Sequence, residues 1–296
     1  MAEAWSMTRG GCKRTSDSAG TTVSVIEAGI PDPGRDMVFS ETRIGVWSIR
    51  AGTLAILLVS WEFYGRSANP ALFVPFTGVV SAFVDMALVS NELWLATLDS
   101  ARAMFIGFAV AIPIGTALGL LIGRYKIVEY VLDPYVSFLY ALPMVVLIPL
   151  LIIWIGIGTP ARIIIVFLEC VFPIIINTTI GSQQVPRSLL DTASSFGASE
   201  RQTIRTVVVP SMLPYIFTGV HVAIGTALVG MLLAEMLVVL RGLGGLIVTA
   251  SNSYQPARVI VTLFVLVAES LLLVGLMGRL RNRLMPWSQQ HGRVGG

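Results

Sequence analysis

Three carboxylates occupy places where a carboxylate is expensive. Glu169, Glu235 and Glu269 each fall inside a long apolar segment. An ionisable group within a membrane must face protein or water, so each is a candidate for a proton relay. Pairing or capping near an interface is the plainer role for Glu235 and Glu269, which fall towards the ends of their segments. Glu169 is nearest mid-segment. Asn177 and Thr178 follow it by about two helical turns and, with Thr179, could line a narrow gate. Pro143, in the preceding segment, and His221, in the following one, complete the candidate pathway set. His221 also reads as a hydrogen-bonded packing residue on a helix.

Hydrolytic and redox chemistry have no comparable residues. A phosphate-cradling loop needs Gly-x4-Gly-Lys-Ser/Thr, and the only lysines, Lys13 and Lys126, lack that setting. The chain holds no His-Glu-x-x-His, no Gly-x-Ser-x-Gly and no Cys/His cluster with zinc spacing. Cys12 and Cys170 imply no disulfide framework, and Cys170 reads as a small core hydrophobe. The expectation is a non-enzyme without metal or cofactor.

The elements that must position these residues are apolar. The 296 residues are 55% hydrophobic and only 12% charged, against about 25% charged in soluble domains. Mean hydropathy is +0.80. Six segments are long enough to cross a bilayer, near 44–63, 101–122, 130–155, 161–180, 212–236 and 257–278. The predicted fold is therefore all-α, a polytopic membrane protein with six transmembrane helices and membrane lipid as its solvent. The net charge of +3 comes with no basic, aromatic-interleaved face, so no nucleic-acid partner is expected.

Within these segments, Ala111, Gly115, Gly119 and Gly123 recur every four residues. Such a small-residue stripe lets a second membrane helix approach closely. Pro134, Pro143 and Pro149 interrupt the third segment, predicting either a kinked helix beside a pathway or a packing kink. The mixed stretch 64–100 carries turn signals at Asn69-Pro70 and Pro75–Gly78. Thr77 is the expected cap of an amphipathic, non-spanning helix to about Val89, with Val80, Phe83, Val84 and Leu88 on one face, lying on the membrane or packed along the bundle. Residues 241–256 read as an external loop with a short helix. Residues 1–40 lack periodicity and read as a disordered cytoplasmic tail. Residues 41–287 form the expected transmembrane domain, and 288–296 a short cytoplasmic tail.

Basic residues orient the bundle. With six spans and the N-terminus inside, only Arg66, Arg102, Arg162, Arg241 and Arg258 lie outside, leaving 15 of the 20 Lys and Arg inside. Without the N-terminal tail the inside count is still 11. The positive-inside rule places both termini, and the polar loop about 181–210, in the cytoplasm.

That loop is polar between two spans. Leu189, Leu190, Ala193 and Phe196 lie about one turn apart, which predicts a short helix with one apolar edge. Gly197 is suited to end it. Ser199 with Gln202 predicts a capping box that starts a second helix leading to the membrane. This arrangement suits docking into a partner's groove.

The loop resembles the "EAA" loop of binding-protein-dependent ABC importer permeases. The family pattern Glu-Ala-Ala, three residues, Gly, nine residues, Ile-x-Leu-Pro appears as Asp191-Thr192-Ala193, Gly197, then Val207-Val208-Val209-Pro210 with the same spacing. Asp for Glu, Thr for Ala, and Val for Ile and Leu are the departures. Leu142-Pro143, Ile148-Pro149, Trp154–Gly158, Phe172-Pro173-Ile174, Ala234-Glu235-Met236 and Gly242-Leu243-Gly244 resemble the nitrate/sulfonate/taurine-type branch. The likeness covers roughly residues 50–287. It implies a type I ABC importer permease fold, a homodimer, two ATPase subunits and an extracytoplasmic solute-binding protein. It also implies a coupling loop comprising Leu189, Leu190, Asp191, Ala193, Phe196, Gly197, Ala198 and Pro210, with Asp191 either capping the loop or meeting a basic residue of the ATPase. A self-contained proton-coupled transporter using Glu169 or Glu235 is the alternative.

Overall fold

A computed structural model describes residues 43–69 and 72–285. The tails expected at 1–40 and 288–296 lie outside the described residues. The described residues divide between Leu54 and Ala55 into two units. Helix α1 (Arg43–Ser67) begins in the first and ends in the second. In the first unit, the Arg50 guanidinium lies 5.7 Å from the Trp47 ring centroid.

The second unit continues with α2 (Phe76–Val84), α3 (Glu92–Arg124), α4 (Lys126–Ala141), α5 (Met144–Ile155) and α6 (Thr159–Gln183). After these come α7 (Arg187–Ser195), α8 (Glu200–Thr203), α9 (Val209–Ala234), α10 (Gly242–Asn252) and α11 (Pro256–Leu284). Single π-helical turns extend α2 (Asp85–Val89), join α8 to α9 (Ile204–Val208) and extend α9 (Glu235–Val239). The described residues are all-helical, as the composition predicts.

The centre of this unit is a stack of α3, α6 and α9 with α6 in the middle. Close approach is built from small residues. A Cβ on Gly119 would lie 2.6 Å from Thr178 Cβ and 2.7 Å from the Ile175 carbonyl oxygen. One on Gly123 would meet Ser182 Cβ at 2.5 Å and the Thr179 carbonyl at 2.7 Å. Gly115 faces Ile174, and Ala111 is buried in the same cluster as Val166, Cys170 and Ile174. On the other side of α6, Gly181 lies against Tyr215 and Gly219 against Asn177. Backbones this close gain dispersion contacts that lipid cannot supply equally well.

Four helical runs are long and apolar enough to cross a membrane: Glu92–Arg124, Thr159–Gln183, Glu200–Val238 and Pro256–Leu284. The pair α4–α5 makes a fifth if taken as one span, bent by 98°. Pro143 therefore does more than kink the third segment. Leu142 and Pro143 are extended, with ψ of 127° and 112°, and Pro143 N-caps α5. A residue before proline is steered away from the helical region, whereas Pro134 and Pro149 remain inside helices. The expected first span falls on the 25-residue α1.

Other expectations shift. Helix α3 starts at Glu92 rather than near 101, because Asp99 and Ser100 find buried polar partners within the protein. Thr77 does not cap α2. Pro75 is the N-cap, and Thr77 donates its N–H and its hydroxyl to the Glu62 carboxylate at 3.0 and 2.9 Å. Val80, Phe83, Val84 and Leu88 point away from the protein, while Val79, Met86 and Ala87 are buried with Leu93, Leu243 and Val261.

Candidate functional site

The polar loop folds as an elbow. Helix α7 is terminated by a Schellman arrangement, in which Ala198 N–H donates to the Ala193 carbonyl at 3.0 Å and Gly197 N–H to Ser194 at 2.9 Å. Gly197 takes φ +71°, with open space where a side chain would project. Ser199 then starts α8 with a complete capping box: its N–H donates to Gln202 Oε1 at 2.8 Å, and its hydroxyl accepts from Gln202 N–H at 3.4 Å. From Glu200 the helix continues through the π turn and Pro210 into α9.

The expected apolar edge of α7 divides in two. Leu190 packs onto Val185, Val208 and Met212 and anchors the elbow to the bundle. Ala193 and Ala198 are half-buried, while Leu189 is exposed and Phe196 is 87% exposed. Leu189 also borders a groove of about 260 Å³ with Thr206, Val207, Pro210 and Ser211. Asp191 does not cap α7. The N-cap is Pro186, and what Asp191 supplies locally is its backbone carbonyl, accepting the Ser194 and Ser195 hydroxyls. Polar ties hold the neighbouring helix ends: Tyr125 donates to Glu200 at 3.0 Å, and Gln183 to Glu129 at 3.0 Å. The hydrogen bond to Glu200, and then its charge, pushes the Tyr125 phenol above its ordinary range.

At the opposite end of the stack lies a buried ion cluster absent from the candidate list except for Glu235. Arg162 donates to Asp99 at 2.8 Å, to Glu235 at 3.1 Å and to the Thr159 hydroxyl at 3.1 Å. The side chains of Arg162 and Glu235 are 1% and 0% exposed. Glu235 also accepts the Ser100 hydroxyl at 2.7 Å and the Gly244 N–H at 2.9 Å. Ser100 in turn accepts the Leu243 N–H at 3.0 Å. Gly242, at φ +70°, lies where any Cβ would collide with the Glu235 carboxylate and the Ser100 hydroxyl. Four elements, α3, α6, the π turn after α9, and α10, are thereby tied together. Arg162 was legible only as a basic residue near a span end, since its partners lie 63 and 73 residues away.

The remaining candidates are dispersed. Glu169 is half-buried, its side chain against Gly230 and its carbonyl accepting the Thr226 hydroxyl at 3.0 Å. Thr178 is buried against Gly119, and Thr179 donates to the Gly119 carbonyl at 3.2 Å, so both lie in the α3–α6 contact. Asn177 donates to the Pro173 carbonyl at 2.9 Å. Pro143 is exposed at the α4–α5 bend. His221 is exposed and lines a hollow between α9 and α11 instead of packing inside the bundle. Glu269 borders an apolar hollow between α3 and α11. No three His, Cys, Asp or Glu among the described residues are grouped to hold a metal ion.

A helical membrane bundle with an exposed elbow between its crossing helices is the architecture of an ABC importer permease, and the chain belongs to that class. Residues 111–286 match the family described as "Binding-protein-dependent transport system inner membrane component". Among its relatives is the nitrate import permease protein NrtB of Synechocystis sp., 30% identical over 81% of this chain and 90% of that protein. The riboflavin transport system permease protein RibX of Chloroflexus aurantiacus is 33% identical over 79% and 88%. The taurine transport system permease protein TauC of Escherichia coli is 27% identical over 83% and 91%. A chain of the inward-facing MetNI methionine ABC transporter matches with a TM-score of 0.55 at 19% identity, covering 68% of this chain and 97% of that one, which speaks for the fold. The protein is thus a multi-pass permease subunit of an ABC importer, whose ATPase is a separate subunit, and the alternative of a self-contained proton-coupled transporter is not supported.

Proposed function

We propose that the α7–Gly197–α8 elbow is the point at which ATPase subunits drive this permease. Two ATPase copies would act on a homodimer of six-span subunits in a bacterial inner membrane, with both termini and the elbow in the cytoplasm. An extracytoplasmic solute-binding protein would deliver a small solute to the opposite face. The observation that carries this reading is the exposure of Phe196 and Leu189 on an elbow that Leu190 anchors to α9. An apolar pair outside a membrane bundle suits a groove on another protein.

ATP-driven closure of the two motors would displace α7. Through Leu190 and the continuous α8–α9 helix, that displacement would reach the α3–α6–α9 stack. Differential contact with the motors in the two states is what shifts the equilibrium between inward- and outward-facing bundles. Asp191, exposed and acidic, suits a basic residue of the motor. Relatives named for nitrate, bicarbonate and taurine support a small oxyanion or sulfonate as the solute class, while the riboflavin relative marks how far the branch diverges. Ligand screening of the cognate binding protein tests that class.

The mechanical claim has a direct test. Gly197→Arg meets open space and bears only the backbone cost of a positive φ, about 1–2 kcal/mol. It should insert at wild-type levels and abolish uptake in vesicles reconstituted with the ATPase and binding protein. Wild-type uptake by this variant would refute the docking role.

A further inference from the structure

Between α9 and α11 lies a hollow of about 280 Å³ with one arginine at its rim and an apolar wall. Thr218 and His221 stand one turn apart on α9. Arg281 stands one turn beyond Met277 on α11. Phe217 and Val274 supply the wall, and Gly278 keeps the centre open, since a Cβ there would touch nothing within 4 Å. Among the described residues no carboxylate lines the hollow.

We infer that this hollow binds the headgroup of an anionic phospholipid in the cytoplasmic leaflet. Helix α11 has 29 residues, about 43 Å at 1.5 Å per residue, against a hydrocarbon core of about 30 Å. Its C-terminal turn, which holds Arg281, therefore reaches headgroup depth. His221 lines the same hollow 17 residues before Val238, about 26 Å along the axis and so just short of headgroup level. Arg281 and the ring N–H of His221 can meet phosphate oxygens, while Phe217, Val274 and Met277 lie where an acyl chain would pass. A small soluble anion would make no use of that wall, so the apolar side favours the lipid.

The inference rests on the inward orientation proposed above. Purified protein would be exchanged into phosphatidylcholine vesicles containing a minor fraction of phosphatidylglycerol, extracted, and its bound lipids counted by native mass spectrometry. Wild type and Arg281→Lys should retain phosphatidylglycerol selectively. Arg281→Gln should lose about fivefold in that preference, the worth of one interfacial cation. Gly278→Leu, which fills the hollow without removing charge, should lose retention as well. Equal retention by all four proteins would overturn the site. So would displacement of the lipid by inorganic phosphate at constant ionic strength, which would make it a small-anion site. The lipid count does not depend on orientation. Labelling of Phe196→Cys from the outer side would instead sink the inward orientation and leave the count standing.

Discussion

A guanidinium stripped of nearly all its water survives only if its surroundings replace that water, and Arg162 is surrounded by Asp99, Glu235 and the Thr159 hydroxyl. Removing one partner of such a pair leaves a buried charge and costs about 3–5 kcal/mol, whereas an apolar replacement of both can be near neutral. Glu235→Leu should therefore sharply lower the thermal unfolding temperature in detergent. Arg162→Met combined with Glu235→Leu should recover much of the loss. Strictly additive losses would show that the two residues are not coupled. At this scale the sequence was legible where neighbours decide the outcome. The Ser199–Gln202 box and the Gly197 terminator depend on residues within a few positions. The ion cluster depends on a fold that brings residues 99, 162 and 235 together, and nothing local to Gly158-Thr-Pro-Ala-Arg162 announces it.

At the scale of elements, the four-residue recurrence of Gly115, Gly119 and Gly123 was readable because a straight helix keeps that period on one face, and this face is the one against α6. The apolar face of α2 was readable on the same ground, since Val80, Phe83, Val84 and Leu88 share the outward side while Val79, Met86 and Ala87 turn inward. Helix α7 shows a third case, since a single helical edge serves two masters. Leu190→Ala should destabilise the permease itself, by about 2 kcal/mol for a half-buried leucine, and be seen as a lower unfolding temperature. Phe196→Ala, at a residue 87% exposed, should leave that temperature unchanged and reduce binding-protein-stimulated ATP hydrolysis in reconstituted vesicles several-fold. If both variants lost stability equally, the outward side of α7 would be part of the bundle, not a docking surface.

At the scale of the molecule, composition sufficed for an all-helical membrane protein, because charged residues are too few to coat a soluble surface. The asymmetric placement of Arg and Lys supplies the expected direction of insertion. The 98° break at Leu142-Pro143 was legible only as an interruption, since sequence marks where a helix must stop and not the angle at which the next one starts. Large apolar side chains that remain outward on α4, α5 and α11, such as Tyr135, Trp154 and Leu271, suit lipid and a second copy of the chain.

The central claim is that a separate motor pushes on the elbow around Phe196 from the cytoplasm. A photocrosslinking residue at Phe196, introduced in cells that express the whole transporter, measures it most directly. The account predicts an adduct with a subunit that carries a phosphate-binding ATPase loop, formed in a nucleotide-dependent manner. An adduct with the extracytoplasmic binding protein, or with lipid alone, would contradict it.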